Sequence, residues 1–184
     1  MLDRDRCTLY ETFATRVRER RAGSGAVWDM RSYDLRPDGW TSAYAAGLPI
    51  LSGLLRLAEV RSGSVRQAIR FTTDVTYRHH VWSARHDAGS VSDRSYPPMG
   101  ARFRLRRSFP IEGYRGDTQT VLRAMKRYGL VLADNGSPWY FQGEARRGWP
   151  VGMLDELKTI PAGAFEAVAT QQLMVDPDSS QTRN

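Results

Sequence analysis

The chain has a single cysteine, Cys7, so neither an internal disulfide nor a cysteine-rich metal site can form. Its place in an alternating apolar pattern marks it as a small buried hydrophobe. Lysine is nearly as scarce. Of 27 basic residues, 25 are arginine and only Lys126 and Lys158 are lysine. A net charge of +7 would suit a nucleic-acid partner, but either cation neutralises phosphate, and binders draw on both. The imbalance reads as GC-rich codon usage, and nucleic acid ranks last among the partners considered. No apolar run approaches the ~18 residues that span a bilayer, so no membrane partner is expected. Met1 to Arg6 lacks the apolar segment of a signal peptide. A Gly-rich phosphate loop and a Gly-x-Ser-x-Gly elbow are also missing. Ser52-Gly53 and Ser62-Gly63-Ser64 are turn chemistry, and no cofactor is implied.

What remains is a chain of 184 residues, 41% hydrophobic and 10% aromatic, enough for one domain with a real core. Cys7 to Phe13 has strand character with Cys7, Leu9 and Glu11 on one face, and Ala26 to Met30 reads as the returning strand of a hairpin. Residues 31–49 form an ordered loop anchored by Trp40, Tyr44 and Leu48. Leu51 to Val60 has helical spacing, while Val65 to Phe71, Tyr77 to His86 and Ala101 to Arg106 read as strands. The clearest helix runs from about Thr118 to Tyr128, capped by Asp117, with Val121, Leu122 and Met125 inward and Gly129 closing it. Leu130 to Ala133 and Trp139 to Phe141 then pair across Asn135-Gly136, a hairpin signal because both residues accept positive φ. A last helix spans Met153 to Lys158, and Phe165 to Val168 closes the sheet. These elements predict an α+β fold, mainly antiparallel sheet with one principal packed helix, as a single domain over residues 1–175 with a disordered tail at 176–184.

All three histidines lie between His79 and His86. On one continuous strand His80 and His86 would be about 20 Å apart, too far to ligate one ion, so no metal site is expected. His86, at the strand's end beside Arg85, is the better candidate for chemistry, against the commoner structural histidine. Asp134 closes an apolar strand beside Trp139, a setting that suits a general acid or base. Trp28, Trp40, Trp82, Trp139 and Trp149 would suit a carbohydrate cleft, although at least three should be core residues. Arg102, Arg104 and Arg106 make a one-sided basic row, by default a solvated face.

Cys7 to Glu11, Ser24 to Asp29, Leu35 to Ser42, Ala46 to Leu51, Val81 to His86, Pro97 to Arg102 and Ala133 to Ser137 together resemble a family of largely uncharacterised secreted proteins of actinobacteria and other soil bacteria. The resemblance covers about Leu2 to Val168. It implies an extracellular setting, and that this chain is an N-terminally truncated member, since relatives carry a signal peptide and a further segment ahead of the Cys7 strand. His80 and Ser83 depart from the relatives' Pro and aromatic residue. No activity carries over from the family.

The expected function is therefore to act on or bind polysaccharide or another small polar ligand. In an enzyme, His86 and Asp134 would be the catalytic pair, and Arg85, Arg102, Asn135, Trp40, Trp82 and Trp139 would bind substrate. His86, Arg102 and Asp134 should then share one pocket. The alternative is a non-catalytic cell-surface or carbohydrate-binding module.

Overall fold

The structure is a computed structural model and describes residues 1–183. It is α+β, with antiparallel pairing dominant. Strands β1 (Leu2–Asp3), β2 (Thr8–Phe13) and β3 (Ser24–Asp29) form a three-stranded antiparallel sheet. Two short helices follow, α1 (Ile50–Gly53) and α2 (Leu57–Arg61), where one helix was expected; Leu54 and Arg56 are extended between them. Strands β4 (Ile69–Thr73), β7 (Arg102–Leu105), β8 (Leu130–Asn135), β9 (Tyr140–Phe141) and β10 (Phe165–Val168) build a five-stranded sheet in the order β10-β7-β8-β4-β9. Strands β5 (Tyr77–His80) and β6 (Pro98–Met99) pair separately, and helices α3 (Gly116–Arg127) and α4 (Val151–Lys158) complete the fold. The β4–β8 pair is parallel, and every other pair in the large sheet is antiparallel.

The hairpin of β2 and β3 forms as the alternation predicts, with Leu9 opposite Trp28 and Glu11 opposite Ala26, all four buried. The core of the larger unit gathers Ile69, Phe71, Leu105, Leu130, Leu132, Val121, Leu122, Met125 and Met153. Helix α3 packs against β7, α2 and α4. Its cap differs from expectation: Asp117 lies inside the first turn, and Arg115 takes the N-cap position. A carboxylate from α4 does the capping instead. Glu156 accepts the Arg115 N–H at 3.2 Å and the Thr118 hydroxyl, so a carboxylate from α4 is held at the N-terminus of α3, where it suits the helix dipole.

The hairpin across Asn135-Gly136 does not form. Strand β9 pairs with β4 and not with β8, so the chain leaving β8 passes over β4 to reach its far side. Asn135 belongs to β8 and Gly136 does not have positive φ; within this connection it is Trp139 that does, at 60°. Local turn chemistry was overridden because β8 already has two partners, β7 and β4. Two predicted strands are also shorter. The Val65 segment joins the sheet only from Ile69, and the Tyr77 strand stops at His80. The segment from Asp176, expected to be disordered, folds back on the body: Leu35 N–H donates to Asp178 O at 2.8 Å and Ser180 N–H to Tyr33 O at 2.7 Å.

Gly129 and Gly136 now have different physical roles. Gly129 has φ +77°, and an added Cβ would lie 2.4 Å from Phe103 O. Gly136 is confined only by the Thr72 side chain, 3.2 Å from such a Cβ. Gly129→Ala should cost about 2 kcal/mol or more, from left-handed strain plus a backbone collision. Gly136→Ala should cost less than about 1 kcal/mol, since a threonine side chain can shift a few tenths of an ångström. Urea denaturation of both variants checks the order, and equal losses would contradict it.

Candidate functional site

A one-residue bulge decides which side chains meet. Arg70 and Phe71 sit opposite Val131 and Leu132, but Thr72 sits opposite Asp134, leaving Ala133 as the extra residue of β8. Side chains alternate along a strand, so this slip moves Asp134 onto the face that carries Arg70 and Thr72. The Ala133 carbonyl, displaced from the ladder, accepts the Ala46 N–H at 3.0 Å. Arg70 and Asp134 consequently form an ion pair, with Nη2 3.8 Å from Oδ2.

Arg70 is the unexpected centre of this region. Its side chain is only 8% exposed. Nη1 donates to Gln142 Oε1, which also accepts the Tyr44 hydroxyl, and the guanidinium lies 4.0 Å from the Tyr44 ring centroid. Burial lowers its pKa, against the opposing influence of Tyr44 and Asp134. Burial also raises the Tyr44 hydroxyl's pKa. At Asp134 burial again comes first and moves the carboxyl upward, partly offset by Arg70 and the amides of Asn135 and Ala45. On both partners, loss of water outweighs mutual attraction, as expected for a long ion pair in a poorly hydrated place.

Arg70 borders a cavity of about 390 Å3 between the two main sheets. On the large-sheet side it is lined by Ala68, Arg70, Arg102, Val131 and Ala133, and on the other by Trp28, Asp29 and Met30. Tyr44, Ser52, Ser83 and Ser180 add hydroxyls around it. Asp29 is held by Arg31 through contacts of 2.9 and 3.0 Å, which keeps its carboxyl below the usual range.

Of the expected site residues, only Arg102 lines this cavity. His86 and Asp134 share a neighbour outside it: His86 Nδ1 donates to Ala45 O at 2.9 Å, and the Ala45 amide acts on Asp134. Arg85 is a clamp for the C-terminal segment. Its guanidinium donates to Arg36 O at 2.6 Å, Pro177 O at 3.0 Å and Asp178 Oδ1 at 2.7 Å, leaving it no free edge for substrate. Asn135 is equally engaged, accepting from Thr76 Oγ1 at 2.9 Å and donating to Ala88 O at 2.8 Å. Trp82 is buried and donates its indole N–H to Ser179 O at 2.9 Å. Trp139 stacks on Phe71 at 5.0 Å and 9° and on Phe165 at 5.6 Å, inside the aromatic core. Trp40, expected to anchor its loop, is 57% exposed, with Arg36 5.3 Å over its ring.

The histidines lie apart from the cavity. His80 Nδ1 is 2.6 Å from Asp87 and its Nε2 3.0 Å from Asp38. The chain breaks its strand after His80, so the single-strand spacing expected between His80 and His86 does not apply. Among the described residues, no group of three His, Cys, Asp or Glu is arranged to hold a metal ion. Sequence reasoning missed Arg70, Tyr44 and Gln142. Leu130 to Ala133 is a continuous apolar run, the mark of a strand buried on both faces, but nothing local to Arg70 says that its strand would flank that run.

Two outcomes test this geometry. Because its folded pKa is raised, Asp134 contributes stability that is fully present below the unfolded value of about 3.9. That contribution is lost as pH rises through the folded value. Asp134→Asn should therefore gain on the parent as pH is raised from about 3.5 to 7 in denaturation at fixed salt; parallel curves would contradict it. Arg85→Met removes charged hydrogen bonds worth about 1.5–3 kcal/mol each. Amide exchange at Leu35 and Ser180 should then accelerate at least about tenfold, with little change in α3. No family model, no curated protein and no solved structure matches this chain.

Proposed function

We propose that this protein binds a small polar ligand of saccharide size in the cavity between its sheets, without performing chemistry on it. The observation that carries this reading is the cavity itself. At about 390 Å3 it falls within the ~300–1,000 Å3 of small-molecule sites. Its lining combines apolar walls from Val131, Ala133 and Leu48 with the hydroxyls of Tyr44, Ser52, Ser83 and Ser180 and with two arginines. That mixture suits a sugar, which presents hydroxyls at its rim and carbon-bound hydrogens on its faces.

A binding role is favoured over hydrolysis or elimination for a specific reason. His86 and Asp134 are not part of the cavity lining, and the Asp134 carboxylate turns toward Arg70. A general acid or base must reach the proton it moves within about 3 Å or through one water. The proposal keeps the polysaccharide-related role expected from the aromatic and polar residues, with the membership of that secreted family and the extracellular setting that the resemblance implies, in its non-catalytic form. A basic surface alone supports nothing more specific for nucleic acid.

The test is ligand-observed NMR with a panel of neutral and acidic mono- and disaccharides. At least one should bind at millimolar concentration or better. Ala68→Leu, which fills part of the cavity, should weaken that binding about tenfold or more with the thermal transition retained. Absence of binding across the panel, or binding indifferent to Ala68→Leu, would overturn the reading.

A further inference from the structure

The cavity floor holds a feature that a site for neutral sugars does not need. Among the described residues, the buried side-chain nitrogens and oxygens without a partner are the Nε atoms of Arg36, Arg70 and Arg102. Arg70 and Arg102 both line the cavity. Their relation follows from strand register. Arg102 on β7 and Arg70 on β4 are each opposite Val131 on β8, so the three residues form one cross-strand row. Neighbouring strands lie about 4.8 Å apart, which puts the two arginine Cα atoms roughly 10 Å apart across a small central side chain. Two long side chains rising from one face at that spacing can close on a single group between them.

Their charges are incompletely answered within the chain. Arg70 has Gln142 on one terminal nitrogen and Asp134 at 3.8 Å, and its Nε has no acceptor. Arg102 has less: burial is the sole influence lowering its pKa, with no carboxylate or acceptor acting on it. A buried N–H without a partner costs about 1–3 kcal/mol, more for a charged group. The two Nε atoms are enclosed, so a ligand would meet the outer nitrogens of the same two guanidinium groups, and those of Arg102 have no acceptor among the described residues. Asp29 and Asp34 also border the cavity, but Asp29 is neutralised by Arg31, so a ligand meets one unpaired carboxylate, Asp34, against the unpaired Arg102 and an Arg70 that shares its charge with Asp134 at 3.8 Å.

We propose that the ligand is acidic, and that its oxyanion is held between Arg70 and Arg102. This rests on the cavity being the saccharide site. The shared chemistry is a compact oxyanion on a sugar-sized body, supplied either by a carboxylate, as in a uronic acid, or by a phosphate ester. Guanidinium forks match both through paired N–H donors. Arg102 is the residue to alter, because it supports no other part of the fold through a hydrogen bond or ion pair.

The experiment is calorimetric titration of the parent and Arg102→Gln with D-glucuronate, D-glucose 6-phosphate and D-glucose at constant ionic strength. One acidic probe should bind at least about tenfold more tightly than glucose, and Arg102→Gln should lower its affinity about tenfold, removing most of its preference over glucose. Preference for glucuronate identifies a carboxylate site and preference for the ester a phosphate site; both support the proposal. Arg102→Gln should melt no lower than the parent, since it removes an unanswered charge, which separates lost binding from lost folding. Glucose binding as tightly as both acids, with Arg102→Gln without effect, would overturn the proposal and leave the cavity reading intact. If none of the three probes binds and the wider saccharide panel also fails, the cavity reading falls and the proposal with it.

Discussion

Burial of the Arg70 guanidinium is the constraint around which the rest of the structure is arranged. A cation removed from water costs several kcal/mol unless its surroundings compensate. Here the compensation comes from three separate segments: the Tyr44 ring and hydroxyl from the loop before α1, Gln142 from the chain after β9, and Asp134 from the end of β8. The bulge at Ala133 follows the same logic, since without it Asp134 would face the opposite side of the sheet. Yet at 3.8 Å the ion pair is long, and burial still dominates both partners. An aliphatic residue at position 70 would be easier to bury. The ligand proposed for the cavity would give a reason for keeping a charge there.

Around the cavity, segments of the chain are pinned to one another at polar points, and the small apolar cluster of the first sheet, Leu9, Ala26 and Trp28, is separate from the main core. At one pin, the buried Glu11 carboxylate accepts the Trp28 indole N–H at 3.2 Å and the amides of Ile50 and Leu51 at 2.8 and 2.9 Å. At the other, Arg85 and Trp82 hold the segment from Pro177 to Ser179, which places Ser180 at the cavity wall. Contacts of this kind are directional and few. They hold a separation that interdigitating side chains would close, and they make the first sheet the unit with the least apolar burial to lose on opening.

The parts of the fold that were legible in the sequence are those set by local pattern. Helix α3 follows from the stripe Val121, Leu122, Met125 and the left-handed closure at Gly129, and the first hairpin from alternation in β2 and β3. What failed was non-local. Asn135-Gly136 carries a strong hairpin signal, but β8 is already flanked by β7 and β4, so β9 had to pair elsewhere. The Glu156 cap of α3 lies 41 residues from the backbone it serves, beyond any local rule. Of the site, Arg102 was legible as a charged residue at a strand start. Arg70 was not, because alternation around it matched a strand with a solvated face.

The row Arg102, Arg104 and Arg106 shows why a pattern of this kind cannot assign roles by itself. The three residues share a face by spacing, yet they meet different surroundings. Arg104 is exposed and paired with Glu166 at 2.6 Å, Arg106 is exposed, and Arg102 is half-buried with its Nε enclosed. The difference comes from the neighbouring strand. Arg102 is level with Val131 on β8 and Val168 on β10, and the hairpin of β2 and β3 lies across the cavity from it. Arg104 is level with Glu166 on β10, the outermost strand. One alternation thus yields a surface ion pair where the neighbour on β10 is a glutamate and an unanswered cation where the neighbours on both sides are valines. In a chain with 25 arginines, the informative few are those whose position in the sheet denies them both water and a carboxylate.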